Sequence, residues 1–174
     1  MSVIVQKYGG TSVADLKRIK NIAERISKTY DQGHNLVVVL SAMAGVTDSL
    51  INQACRITET PDKRELDVLL ATGEQTTAAL MAMVLKSMGY PAISLLGHQA
   101  EVLTDCSFGN ARILDIAGNR IKELLDQRSI VTIAGFQGCD DQGNITTLGR
   151  GGSDTHCLHP GPGSPAMLGL LDRP

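Results

Sequence analysis

"VIVQKYGGTSVADLKRIKNIAERI", Val3 to Ile26, changes its hydrophobic period partway along, and that change decides the fold. Val3, Ile4 and Val5 form a short apolar run that stops at Gly9-Gly10. Beyond the glycines, Val13, Leu16, Ile19, Ile22, Ala23 and Ile26 follow the spacing of an amphipathic helix. The order is strand, glycine turn, helix. Ser12 with Asp15 three positions on fits a capping box, which predicts a helix starting just after Ser12 with its amide donors facing back toward the glycines.

The same order returns downstream. Leu36 to Leu40 is a continuous β-rich run, "SAMAGVTD" (Ser41 to Asp48) is a loop, and Leu50, Ile51, Ala54 and Ile57 give Asp48 to Ile57 helical spacing. Two βα units in succession predict a parallel sheet. Glu65 to Met88 reads as helical material broken near Thr72-Gly73, and Ile93 to Leu96 as a third strand. "ARILDIAG" from Ala111 fits either a short strand or a helix start, Asn119 to Gln127 is helical, and Ile130 to Ala134 is a strand. "CDDQGN" (Cys139 to Asn144) supplies the residues of a tight turn, with "ITTLG" as the returning arm of a hairpin.

At 174 residues the chain is long enough for one domain with a sizeable core, and 43% hydrophobic with 20% charged residues is the balance of a folded, soluble protein. A net charge of -2 with 3% aromatics argues against a nucleic-acid partner. The N-terminus lacks the pattern of a signal peptide, and the apolar stretch Leu66 to Leu85 is interrupted from Thr72 to Thr77, so neither export nor a membrane span is expected. A cytoplasmic location follows as the expectation. Cys55, Cys106, Cys139 and Cys157 form no CxxC pair and are expected to be small core residues.

Ligands of open α/β sheets bind at the carboxyl ends of the strands. Those ends carry Lys7 with Gly9-Gly10, then Ser41 with Thr47-Asp48, then Thr147 with the Gly149 to Asp154 turn. Gly9-Gly10 fits a plain tight turn or, with Lys7 before it and a helix after it, an anion site. It is neither GxxxxGK[ST] nor GxGxxG. Ser41, Thr47 and Asp48 read equally as cap and turn residues. Glu74, alone, reads as a solvated charge; buried, it would need a cation or water. In "GRGGSDT" three glycines let backbone approach a ligand closely, and Arg150 offers a planar fork for a carboxylate or phosphate.

Together "KYGGTSV" (Lys7 to Val13), "SAMAGVTD", "TGE" (Thr72 to Glu74) and "TTLGRGGSD" (Thr146 to Asp154) resemble the aspartate kinases of the amino-acid kinase superfamily, in the right order over residues 1 to 155. The resemblance implies a three-layer α/β/α sandwich, incomplete at the C-terminus. It also implies transfer of the γ-phosphoryl group of ATP to the side-chain carboxylate of L-aspartate, with Mg2+ carried mainly on the ATP phosphates. By position it places Lys7, Tyr8, Gly9, Gly10 and Ser41 at the phosphate end. Thr47, Glu74, Arg150, Gly151, Gly152 and Ser153 would hold aspartate, Arg150 on its α-carboxylate and Glu74 on the ammonium side. Lys7 and Asp154 take the catalytic roles, Asp154 by orienting lysines around the transferring group. A homo-oligomer is compatible with the intact form.

The resemblance stops after Thr155. Pro160, Pro162 and Pro165 with Gly161 and Gly163 forbid the helix expected there, so residues 156–174 are read as an aberrant tail without stable structure of its own. A metal site from His156, Cys157 and His159 lacks a second ligand cluster. The expectation is a truncated or frame-shifted fragment lacking part of the ATP site and the regulatory domains. If His156-Cys157 is encoded CAC-TGC, a one-nucleotide shift reads Thr-Ala, the pair the family places there. Resequencing the gene checks this: an adjacent frame with no alanine-rich continuation rejects the frameshift.

Overall fold

The computed structural model describes residues 2–148 and the strand Leu168–Leu171. The main sheet holds β1 (Val3–Tyr8), β2 (Asn35–Leu40), β3 (Ala92–Leu95), β6 (Ile130–Ala134) and β9 (Leu168–Leu171) in the order β3-β6-β2-β1-β9. Every pairing in it is parallel, so all carboxyl ends lie along one edge. β2 and β6 are apolar nearly throughout because both of their faces are covered. α1 (Leu16–Asp31) and α3 (Lys63–Ser87) cover one face, where Ile19, Ile22 and Ile26 meet Met81, Leu85, Leu36 and Leu40. α4 (Asn119–Asp126) covers the other, with Ile121, Leu124 and Leu125 against Val37, Val39, Val131 and Ile133. The three-layer α/β/α sandwich is the expected one.

A second sheet grows out of the carboxyl edge. It comprises β4 (Val102–Thr104), β5 (Ile113–Ile116), β7 (Gln137–Cys139) and β8 (Ile145–Thr147), in the order β5-β4-β7-β8. β7 and β8 form the expected antiparallel hairpin. Asp140 closes its turn, accepting from the amides of Gln142 at 3.0 Å and Asn144 at 2.8 Å. "ARILDIAG" resolves as strand β5, and β4 is an element the sequence reading passed over, since three residues show no period.

Several local expectations are corrected. α1 starts at Leu16, not after Ser12, because Asp15 itself is the N-cap and accepts from the Arg18 amide. α2 (Val46–Ile57) is capped by Gly45 at φ 79° without a side-chain hydrogen bond, so Thr47 and Asp48 sit inside its first turn rather than capping it. α3 runs unbroken through Thr72-Gly73. The helical cost of a mid-helix glycine is only about 1 kcal/mol, and a Cβ at Gly73 would lie 2.9 Å from the Ala42 side chain. Packing thus selects the glycine, while the hydroxyls of Thr72, Thr76 and Thr77 turn back onto α3 carbonyls.

α3 is long and apolar enough to cross a membrane by length and composition alone, yet it packs along α1, α2, β3, β6 and β8. The cysteine expectation fails for Cys55 and Cys106, which are exposed on α2 and in the loop after β4; Cys139 is half-buried, and Cys157 lies outside the described residues. The expected boundary at 155 also lies outside them. Of the tail, Leu168–Leu171 is described, and as β9 it pairs with β1 from Ile4↔Leu168 to Lys7↔Leu171. The prolines that exclude a helix do not exclude a strand beyond them.

Thr132, fully buried in β6, donates its hydroxyl to the α3 carbonyl of Ala78 at 3.0 Å and ties helix to sheet. Thr132→Val keeps the shape and removes the donor, and should cost about 1 kcal/mol in urea denaturation. An unchanged unfolding midpoint would show that apolar packing alone seats α3.

Candidate functional site

Three of the four motifs meet at the carboxyl edge of the main sheet. Lys7 and Tyr8 close β1, with Lys7 in register with Val39 and half-buried. The Ser41 amide donates to the Tyr8 carbonyl at 3.1 Å, which seats the start of the β2–α2 loop on the end of β1. Gly9 accepts from the amides of Ser12 and Val13 to form the turn. At Gly10 the approach is close enough that a Cβ would stand 2.8 Å from the Ala42 carbonyl oxygen, so only glycine lets the two loops touch. Ala42 is the junction, because α3 reaches it from the other side through Gly73 and Glu74.

Glu74 is the most perturbed group here. It is 4% exposed, its Oε1 accepts from the Ala42 amide at 3.2 Å, and among the described residues its buried Oε2 has no hydrogen-bond partner. Burial pushes its carboxyl up to about 7, against the lowering effect of the Ala42 amide. The solvated-charge reading of Glu74 is therefore corrected: α3 carries it inward because positions 67, 70, 71, 74, 78 and 81 share the buried face. A buried carboxyl with one unpartnered oxygen is fitted to accept from a cationic or ammonium donor.

The Gly9-Gly10 turn is built differently from the expectation. The first amides of α1 do not face the glycines unhindered, since the Asp15 carboxylate caps them and draws Arg18 to 3.6 Å. What remains is the Gly9 to Val13 turn with Lys7, and no group of three or more His, Cys, Asp or Glu gathers as a metal site among the described residues. Thr47 is half-buried in the first turn of α2, on the loop that carries Ser41 and Ala42. Arg150, Gly151, Gly152, Ser153 and Asp154 lie outside the described residues. The strand that leads to them ends at Thr147, and the Leu148 amide donates to the Phe136 carbonyl.

Two participants escaped the sequence reading. The Ala42 amide has no side-chain signature, so nothing in the sequence could mark it. Asp67 did leave a signal: it stands seven positions before Glu74 in an apolar helix, hence on the same face, and it is 1% exposed.

The sandwich and the loop junction at its carboxyl edge define a class, and residues 2–159 match the amino acid kinase family, to which the chain belongs. It is 52% identical over 155 residues to an aspartokinase of Geobacillus stearothermophilus, covering 89% of this chain and 38% of that protein. It is similar to the crystal structure of aspartate kinase from Synechocystis, at TM-score 0.76 and 43% identity over 90% of this chain and 25% of that one. E. coli aspartokinase III in complex with aspartate and ADP shares the fold at TM-score 0.74 and 23% identity, over 90% of this chain and 45% of that one. The chain thus spans less than half the length of these relatives.

Raising the Glu74 carboxyl from 4.5 to about 7 makes the folded state the better proton binder in that interval. Its stabilising effect is complete below the unfolded value and is lost as pH rises through the folded one. Glu74→Gln should match the parent near pH 4.5 and exceed its stability near pH 8 by up to about 3 kcal/mol in urea denaturation. Parallel pH profiles for the two proteins would show that Glu74 is ionised in the fold.

Proposed function

We propose that these residues form the amino-acid-binding part of an aspartate kinase, which transfers the γ-phosphoryl group of ATP to the side-chain carboxylate of L-aspartate. The observation that carries the reading is the buried Glu74 oxygen left without a partner, among the described residues, at the junction of three motifs. An amino acid's ammonium group satisfies that oxygen and draws the proton off the carboxyl; UMP offers no such group. The identity to aspartokinases over 155 residues supports aspartate among amino acids.

In this reading Thr47, Glu74, Arg150, Gly151, Gly152 and Ser153 hold aspartate, with Arg150 gripping the α-carboxylate. Lys7, Tyr8, Gly9, Gly10 and Ser41 receive the phosphates, and Asp154 orients the cations around the transferring group. The attacking carboxylate is already ionised at neutral pH, so no general base is needed. One of its oxygens forms a bond to the γ-phosphorus while the bond to the bridging oxygen breaks, leaving ADP and 4-phospho-L-aspartate. Two anions must approach, and Lys7 with the turn amides offsets their repulsion. Mg2+ borne on the ATP oxygens supplies further neutralisation. The product enters the synthesis of lysine, threonine and methionine, which fits a cytoplasmic enzyme.

A second reading is compatible with the 38% of the G. stearothermophilus protein that the chain spans: these residues bind aspartate, and turnover needs parts that the relatives carry elsewhere. A coupled assay for ADP release with Mg-ATP, and with glutamate as control, separates the two. Aspartate-dependent turnover removes the second reading, and turnover on UMP or glutamate instead of aspartate rejects the first. In a form that turns over, Lys7→Ala should slow the reaction about a hundredfold or more at unchanged fold; near-normal rates would remove Lys7 from the chemistry.

A further inference from the structure

Glu74 differs from an ordinary binding carboxylate in how little the surrounding chain offers it. It is 4% exposed. Its Oε1 accepts from the Ala42 amide at 3.2 Å, and among the described residues the buried Oε2 has no hydrogen-bond partner. α3 and the β2–α2 loop already touch at this point, since a Cβ on the neighbouring Gly73 would lie 2.9 Å from the Ala42 side chain and 3.4 Å from that of Val46.

The ionisable groups on the elements packed around Glu74 come from three of them. β1 contributes Lys7, half-buried, and Tyr8, whose hydroxyl donates to Gln6 at 2.9 Å. α2 contributes Asp48, Cys55 and Arg56, all exposed. α3 itself contributes Asp67, which accepts three hydrogen bonds of its own, and its remaining charged residues are exposed. The charged residues of α1 are exposed too, and β2, β3, β6, β8 and the loop from Ser41 to Gly45 carry none. Burial dominates, and it pushes the Glu74 carboxyl up to about 7 against the lowering hydrogen bonds of the Ala42 amide and its own.

A bare carboxylate at this position forfeits hydration that one amide does not replace, so the empty site meets the vacancy with a proton. An ammonium group brings Oε2 both an N–H donor and a positive charge, which favours the ionised form. We infer that the amino acid enters by exchange: its ammonium group displaces the Glu74 proton to solvent, and this corner of the site is neutral before and after. The inference deepens the aspartate reading above and rests on it. Its consequence is a substrate affinity that follows pH. Below about 7 uptake must expel a proton, so binding strengthens as pH rises and levels off once the empty site is already ionised.

Calorimetry on the full chain counts the protons, because the heat of capturing them differs between buffers of unlike ionisation enthalpy. Free L-aspartate keeps both carboxylates and its ammonium group ionised from about pH 6 to pH 8. Its uptake should release about one proton at pH 6 and about a tenth of one at pH 8, with affinity about tenfold tighter at pH 8. Glu74→Gln keeps an acceptor for the Ala42 amide and has no proton to give, so it should bind aspartate without proton release and with an affinity flat over that range. Should that variant bind too weakly to measure, infrared difference spectra of the parent decide. The carbonyl band of a protonated carboxyl, absent from unliganded Glu74→Gln, should disappear when aspartate is added at pH 6. Uptake with no proton released at pH 6, release that persists in Glu74→Gln, or a band that survives aspartate each overturns the exchange and leaves the aspartate reading standing. A folded parent that takes up no aspartate overturns that reading, and the exchange with it.

Discussion

Two carboxyl groups on one helix, Asp67 and Glu74, are buried, and the loops around them are held by the hydrogen bonds these groups accept. Taking such a group out of water is unfavourable unless hydrogen bonds replace the lost hydration. At Asp67 three donors do so, two of them backbone amides. At Glu74 one amide does so and, among the described residues, one oxygen is left over, and burial pushes that carboxyl up to about 7. The satisfied carboxylate acts as a clamp, and the unsatisfied one is the group with capacity for a ligand.

The fold makes this arrangement by bringing chain-distant loops to one edge. Parallel strands put every carboxyl end on the same side, and β1, β2 and α3 then contribute Gly10, Ala42 and Glu74 to a single junction. The tolerances are those of bare backbone: Gly10 and Gly73 lie where a methyl group would strike Ala42. Beyond the same edge, the second sheet delivers Thr147 to the far turn of α3. Ala42 and Thr147 are therefore linked through one helix rather than through a loop, and helices hold distances better than loops do.

The elements that the sequence made readable were those with several turns or residues of unbroken period: β1, α1, β2, α2, α4 and β6 were placed within a few residues. The hairpin was readable from its turn chemistry. Errors came where a short-range rule met a longer-range contact. The Ser12 capping box lost to Asp15, whose carboxylate reaches the Arg18 amide. The break expected at Thr72-Gly73 lost to packing against Ala42, and the solvated reading of Glu74 lost to its place on the buried face. Exposed Cys55 and Cys106 show that residue type alone does not assign burial.

What the sequence determined by itself was the alternation of strand and helix, hence a layered parallel sheet, and the set of motifs that names the family, because both are written in local order and spacing. What only the tertiary structure decided was which of two similar acidic residues on α3 is satisfied and which is left with a vacant oxygen. That difference lies in backbone amides supplied from residues 42, 109 and 147, and an amide is the same in every residue but proline, so no side-chain pattern can announce where it will point.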